Sequence, residues 1–380
     1  MISCDKTTKT GTPPSLITFS GRSFEACVQI LPLELRKYIF SFLSFQDVST
    51  FTKSSYLATW INASHAWLDS FEFTSEEGIA FLKHNKDKLY HVGLGINGGG
   101  FVPYVAHLTK LTSLSIAPDI SNASLSLRLA KKTNLTSLEF FNVSGNLTDL
   151  HTLQLLPHLK SLKLECLLGN VELEALVALT ALTCLDLSFM NSEHLISFAQ
   201  LTALAQLTDL NLSSNIQFKK TLLEVTHLTR LRKLSMESNA LSALEATSLL
   251  VLPQLTSLNL AHNNFPLQDQ MEFNSETPLQ DLDISHCNLF RPPPLSRLHN
   301  LTRLNYSHNN PTLDVLSQIV RLSKLQTLVY HDLKGPPKAL VETFSQLPKL
   351  AMLEVAEDIK TSIGPFFPHL NIVVAQAQWR

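Results

Sequence analysis

The sequence lacks the marks of most enzymes, secreted scaffolds and nucleic-acid binders. It has no surplus of positive charge: 30 Lys and Arg stand against 32 Asp and Glu, a formal net charge of −2. A phosphate-binding face needs a marked Lys/Arg excess, so nucleic acid is not the expected partner. The cysteines, Cys4, Cys27, Cys166, Cys184 and Cys287, are scattered, odd in number and never spaced C-x-x-C. A disulfide framework or a zinc module would show close pairs, and this usage is that of a reduced, intracellular protein. No apolar run is long enough to cross a bilayer as a helix. Met1 to Ser15 are polar, without a hydrophobic stretch of signal-peptide length. The expected setting is the cytoplasm, with no membrane span. No P-loop, H-E-x-x-H or Ser/His/Asp arrangement is present, so no catalytic residue, metal or cofactor is expected.

What the chain does have is apolar residues, 44% of the total, and they are periodic. The pattern L-x-x-L-x-L-x-x-N returns from Leu89 onward, with other aliphatic or aromatic residues standing in at some positions. Its leading Leu falls at Leu89, Leu111, Leu135, Leu159, Leu182, Leu207, Leu231, Leu255, Leu279, Leu301, Leu325 and Leu350, with a truncated copy expected at Leu370. The full copies keep a spacing of 22 to 25 residues, which chance would not hold over such a series.

The Leu207 copy shows the physics of the unit. Leu210 and Leu212 are two apart, so in an extended strand both point into a core, while Asn211 and Ser213 are expected to point out. Repeating this at every turn stacks short parallel strands about 4.8 Å apart. The return segments cover the core from the other side, and Leu241 to Leu252 has apolar spacing suited to a helix or short helical turn. Asn97, Asn215, Asn239, Asn263 and Asn309 hold the ninth position, where a buried amide can satisfy backbone groups of the turn and form a ladder. Asp119, Asp358, Cys287, Val143, Leu167, Met190 and Leu333 replace it elsewhere, and irregular turns are expected there.

These residues resemble leucine-rich repeat proteins over most of the chain. The resemblance implies an α/β solenoid, or horseshoe, with its parallel sheet on the concave face. One turn cannot bury its own apolar side, so stability comes from stacking on neighbours and both ends need caps. The short copy ending at Trp379-Arg380 is the expected C-terminal cap.

The N-terminal part reads differently. Residues 1–25 are Thr/Ser/Pro-rich and read as a flexible tail. In the span 26–73, Leu35, Ile39, Phe42 and Leu43 recur at helical spacing, Pro32 suits a first helical position, and Asp47 can cap a second helix. Leu31-Pro32, Glu34-Leu35, Ile39-Phe40, Leu43, Asp47-Val48 and Trp67 then fill, in order, the pattern of a known family: the segment resembles an F-box. Its third helix departs from that family, with Lys53-Ser-Ser-Tyr56 and a displaced Trp60 in place of a Lys-x-Trp element. The resemblance implies a small all-α module docking the adaptor of a cullin–RING (SCF-type) ubiquitin ligase, with the repeats choosing a protein substrate. Leu31, Pro32, Leu35, Ile39, Phe40, Leu43 and Val48 are the implied adaptor-binding residues. Residues 74–88 read as a linker helix capping the first repeat, and 89–380 as about twelve repeats and the short cap.

The expected substrate surface is the concave face. Its outward third, fifth and seventh positions include Glu139, Phe141, Lys163, Glu165, Asp186, Asp209, Asn211, Lys233, Glu237, Asp281, Asp283 and Arg303. Acidic residues outnumber basic ones, so a protein ligand with a basic patch is expected. Three sharper patterns are absorbed by the repeat. Gly93-Leu-Gly-Ile-Asn-Gly98 matches a dinucleotide fingerprint, yet lies in register with the later copies. His262, His286 and His308 form a column that could meet a metal, but fill an ordinary turn position. The N-x-S/T triplets are repeat filler. The rival reading is a free-standing repeat scaffold or adhesin unrelated to ubiquitin. A bacterial effector acting in a host cytosol is a further possible source.

Overall fold

The computed structural model describes residues 65–68, 75–94, 101–116, 134–143, 150–166, 176–190, 200–215, 222–265, 271–273, 277–309 and 313–374. It also describes a small antiparallel pair, β1 (Thr18–Phe19) with β2 (Arg22–Ser23). The rest of the N-terminal span, with every residue implied to bind an adaptor, lies outside the described residues.

One 14-stranded sheet runs through the repeats, and its strands follow chain order throughout. They are β3 (His65–Leu68), β4 (His91–Leu94), β5 (Ser113–Ile116), β6 (Ser137–Val143), β7 (Ser161–Cys166), β8 (Cys184–Asp186) and β9 (Asp209–Asn211). There follow β10 (Lys233–Ser235), β11 (Ser257–Asn259), β12 (Asp281–Asp283), β13 (Arg303–Asn305), β14 (Thr327–Val329), β15 (Met352–Val355) and β16 (Asn371–Val374). Every pairing is parallel, and the first and last strands do not meet, so the sheet is open.

The fourth positions align directly: Leu210, Leu234, Leu258, Leu282, Leu304, Leu328 and Leu353 are successive register partners. All are buried, as are the leading Leu from Leu89 to Leu325, in one continuous core. The core is closed on the other side by α1 (Ser75–His84), α2 (Val102–Val105), α3 (Leu222–Val225), α4 (Ala243–Ser248), α5 (Leu313–Ile319), α6 (Pro337–Phe344) and α7 (Glu357–Ile363), with 3₁₀ turns in other repeats. Helices are wider than the strand spacing, so the stack curves with its strands on the concave side.

Local chemistry starts these return segments where the apolar spacing predicts. Ser242 Oγ accepts from the Glu245 N–H at 3.3 Å, and Glu245 Oε2 accepts from the Ser242 N–H at 2.7 Å, a reciprocal cap that begins α4. At the N-terminal end, a Cβ on Gly78 of α1 would come within 2.3 Å of the Phe101 ring. Only glycine lets α1 lie this close to the next turn.

Two expectations about the ends need correction. The sheet starts at His65–Leu68, inside the span read as an all-α module and one strand before Leu89. The sequence hides this strand because Ala66, not Leu, pairs with Val92, and only Leu68 keeps a large residue opposite Leu94. The last strand is shifted by one residue: Ile372, not Val373, pairs with Leu353. Ile372 and Val374 are thereby half-buried while Asn371 and Val373 face outward, which leaves the amide of Asn371 in water. Leu370 itself packs against the core, and its N–H bonds Phe367 O as that of Leu350 bonds Leu347 O, so the shift falls within the strand that follows.

Candidate partner-binding face

The strand ends are fixed by three side-chain columns. In the ninth-position column, Asn263 Oδ1 accepts from the backbone N–H of Asn239 (3.1 Å) and Leu241 (2.9 Å) in the preceding turn. Its Nδ2 donates to Met236 O at 2.9 Å and Leu260 O at 2.8 Å. Asn215, Asn239 and Asn309 bond in the same sense, so the amides form the expected ladder. Where the ladder lacks Asn, the turn is not always irregular, contrary to expectation. Met190 is buried and gives its N–H to Asn215. Cys287 Sγ lies 3.1 Å from Leu260 O and faces the Asn263 N–H, so the thiol does part of the amide's work. Burial pushes that thiol up to about 12, which keeps it a neutral donor. Between β6 and β7, before Val143, the register does slip.

The eighth position is left-handed in six successive turns, at Phe189, Ser214, Ser238, His262, His286 and His308, with φ between 54° and 60°. Such residues normally avoid this region, and the ladder on either side holds them in it.

The third column was not foreseen. The fifth-position Asp or Asn accepts the backbone N–H two residues on: Asp186 from Ser188 (2.9 Å), Asn211 from Ser213 (3.0 Å), Asn259 from Ala261 (2.9 Å), Asp283 from Ser285 (2.9 Å) and Asn305 from Ser307 (3.2 Å). These are turn-forming contacts. A second series, from Thr112, Thr136, Thr183, Thr208, Thr256 and Thr302, sends each hydroxyl to a backbone carbonyl one turn earlier. The sequence carries only a partial signal, the interchange of Asp with Asn at the fifth position, since either side chain can accept the same turn N–H.

The structure brings the expected concave residues whose side chains are described onto one face and joins six of them in three ion pairs. Lys163 meets Asp186 at 3.8 Å, Lys233 meets Asp209 at 3.4 Å and Arg303 meets Asp281 at 3.0 Å. Glu139 accepts from Ser115 Oγ at 3.0 Å, Glu237 from Asn259 Nδ2 at 3.1 Å, and Asp283 from Asn305 Nδ2 at 2.8 Å. The side chains of Phe141 and Glu165 lie outside the described residues. The face is thus a polar lattice in which three ion pairs bridge strands while Glu139, Glu237 and Asp283 keep their charge, with Ser235, Ser257, Asn259, Asn305 and Thr327 among its outward hydroxyls and amides. Cys184 lies on it too, its thiol raised above the ordinary value mainly by burial.

The histidines stack along one margin of the sheet. The rings of His262 and His286 are 4.1 Å apart and those of His286 and His308 4.0 Å, face to face. Burial, then the neighbouring His308 and His262, lowers His286 to about 4. Face-to-face rings cannot turn their nitrogens onto one ion. Among the described residues no group of three or more His, Cys, Asp or Glu is arranged to hold a metal, and no helix is long and apolar enough to cross a membrane.

No protein-family model matches this chain, and no curated protein sequence matches it. Solved structures do. TLR13 in its complex with ssRNA13 is 20% identical with a TM-score of 0.50, over 80% of this chain and 45% of that one. An internalin of Listeria monocytogenes is 19% identical with a TM-score of 0.46, over 77% of this chain and 81% of that one. Both are leucine-rich repeat proteins. The fold is a leucine-rich repeat solenoid. This chain spans less than half the length of the TLR13 chain, and at such identities the likeness is one of fold alone.

Proposed function

We propose that this solenoid is a non-catalytic, cytoplasmic recognition subunit whose concave sheet holds a protein partner. The observation that carries this reading is the sheet itself: parallel strands, in one register from β8 to β15, showing outward small polar residues and charges that meet between strands in three pairs. Hydrogen-bonding groups and paired charges, with carboxylates left over at Glu139, Glu237 and Asp283, favour a polar protein partner that complements them. Replacing Ser235 with a photo-crosslinking residue, and separately Leu244, which is 77% exposed on the return side, tests the face. Crosslinks formed at position 235 and not at 244 support it; crosslinks formed mainly at 244 move the partner to the convex side.

The N-terminal motif supports a finer reading. The run of Leu31-Pro32, Glu34-Leu35, Ile39-Phe40, Leu43 and Asp47-Val48 is F-box-like, so the chain is proposed as a substrate receptor of a cullin–RING ubiquitin ligase. The adaptor is held by these apolar side chains and the substrate by the repeats, while the chemistry happens on other subunits. Direct binding to the recombinant adaptor, lost in Leu31→Ala/Pro32→Ala, tests it. A free-standing scaffold would not bind the adaptor at all.

A further inference from the structure

The cations of the repeats fall into sets with opposite surroundings. On the concave face Lys163, Lys233 and Arg303 each meet an aspartate of a neighbouring strand. Another set lies where the strands begin. Lys88, Lys110, Arg230, Lys324 and Lys349 directly precede a leading Leu, and Lys160 and Arg232 directly follow one. All of these are exposed, and no Asp or Glu holds either position in any turn from Leu89 to Leu350. The backbone sets them in one line. The N–H after each leading Leu donates to the matching carbonyl one turn back, as Lys160 does to Thr136 and Arg232 to Thr208, both at 2.8 Å.

Side chains along this margin are held in place without being neutralised. Lys324 Nζ donates to Asn300 Oδ1 at 2.7 Å, Arg230 Nη1 donates to Gln206 Oε1, and Lys110 Nζ lies 5.9 Å from the centroid of the Tyr90 ring. Each contact reaches one turn back to an uncharged group. Among the described residues none of these margin cations forms an ion pair; the Lys and Arg that do are Lys163, Lys233, Arg297 and Arg303. Further along the strands the sign reverses. Glu139 and Asp283 at the fifth position and Glu237 at the seventh are met by neutral groups. Five residues of strand span about 17 Å, twice the screening length of about 8 Å at physiological salt, so the two bands do not cancel.

We propose, resting on the reading of the concave sheet as the binding face, that its protein partner is polarised across the strands: an acidic segment lies along the strand-start margin, and basic side chains lie over Glu139, Glu237 and Asp283. Charge complementarity selects this occupant. The margin offers cations in groups, Lys88 with Lys110, Arg230 with Arg232 and Lys324 with Lys349, and the turns between Arg232 and Lys324 carry only neutral residues at these positions. A polypeptide can place acidic residues at the groups and neutral ones between them. A nucleic-acid backbone, charged at every phosphate, would leave much of its charge unmatched over the neutral turns and bring the rest towards the carboxylate band.

Fluorescence anisotropy of labelled oligoglutamate and oligolysine peptides, titrated with the full chain at physiological salt, tests the two bands separately. Oligoglutamate binding is expected to weaken about tenfold in Lys110→Gln/Arg232→Gln/Lys324→Gln, where three exposed charges are lost. It should stay within about twofold in Arg291→Gln/Lys334→Gln/Lys338→Gln, which removes the same charge away from the margin. If the first variant does not fold, Lys110→Gln and Lys324→Gln are tested singly, each with an expected loss of about twofold. Equal weakening in the two triple variants, no oligoglutamate binding, or tighter binding of a labelled oligodeoxythymidylate overturns the acidic segment. Oligolysine is expected to bind and to weaken in Glu237→Gln/Asp283→Asn. Failure of that arm alone overturns the sheet as the binding face, whereas failure of the oligoglutamate arm alone overturns only the acidic segment.

Discussion

The Oδ1 of Asn263 accepts the backbone N–H of Asn239 at 3.1 Å across the gap between two turns of the solenoid, and Asn239 in turn accepts from Asn215 at 2.9 Å. A fully buried amide is doing for the turn what a strand does for its neighbour: it takes up donors that no water can reach. Asn263→Ala leaves the N–H groups of Asn239 and Leu241 and the carbonyl of Met236 short of a partner. Urea unfolding should show a loss of about 3 kcal/mol, two or three times that of a single ordinary hydrogen bond. A loss no larger than that of an exposed Asn→Ala change would mean the ladder is decorative.

Asp283 separates a structural role from a recognition role. It accepts from the Ser285 N–H at 2.9 Å and from Ser285 Oγ, work that Asn211 and Asn259 do in their own turns. Asp283→Asn is therefore expected to fold with little change in stability, and Asp283→Ala to lose about 1 kcal/mol. Equal losses in the two variants would show that the charge, and not the turn contact, matters to the fold.

His286 gives the centre of the solenoid a pH dependence of known sign. Its value falls from the ordinary 6.5 to about 4, first through burial and then through its two stacked neighbours. Between those values the unfolded chain takes up a proton that the folded chain refuses, so this histidine's contribution falls as the pH drops through that window and levels off on either side. His286→Asn, a residue that tolerates the left-handed φ of 54°, should remove that part of the acid sensitivity. The comparison is the stability difference between the two proteins from about pH 7 to about pH 4; a difference that stays constant contradicts the assignment.

Tyr306 is the reverse case of a group that the fold would do better without. Its ring is fully buried edge-on to Tyr330, 5.4 Å between centroids, and its hydroxyl has no hydrogen-bond partner among the described residues. Burial raises it above the ordinary tyrosine value. Tyr306→Phe keeps the ring and removes a stranded hydroxyl, so thermal unfolding should show a gain of about 1 kcal/mol. A loss would point to a partner for the hydroxyl.

Much of this was legible in the sequence. The leading Leu from Leu111 to Leu350 set the strand register correctly because one buried face repeats without interruption. The ends were harder: Ala66 carries too little apolar weight to mark the first strand, and at the last one the register shifts by one residue after Leu370. On the concave face, Asp186 and Asp283 read identically as binding charges or as turn-formers, because an exposed strand position does not reveal where a carboxylate turns. The left-handed column was invisible for another reason. Phe189 has no intrinsic preference for that conformation, and it is imposed by the asparagines on neighbouring turns.

The most direct test of the functional account is a pull-down of the purified full chain with the recombinant adaptor of a cullin–RING ligase, using Leu31→Ala/Pro32→Ala as control. The account predicts capture by the intact chain and none by the variant, with hydrogen-exchange protection of the repeats unchanged between the two. Failure of the intact chain to bind the adaptor, with its repeats protected, would contradict the receptor reading and leave a recognition scaffold with no tie to ubiquitin.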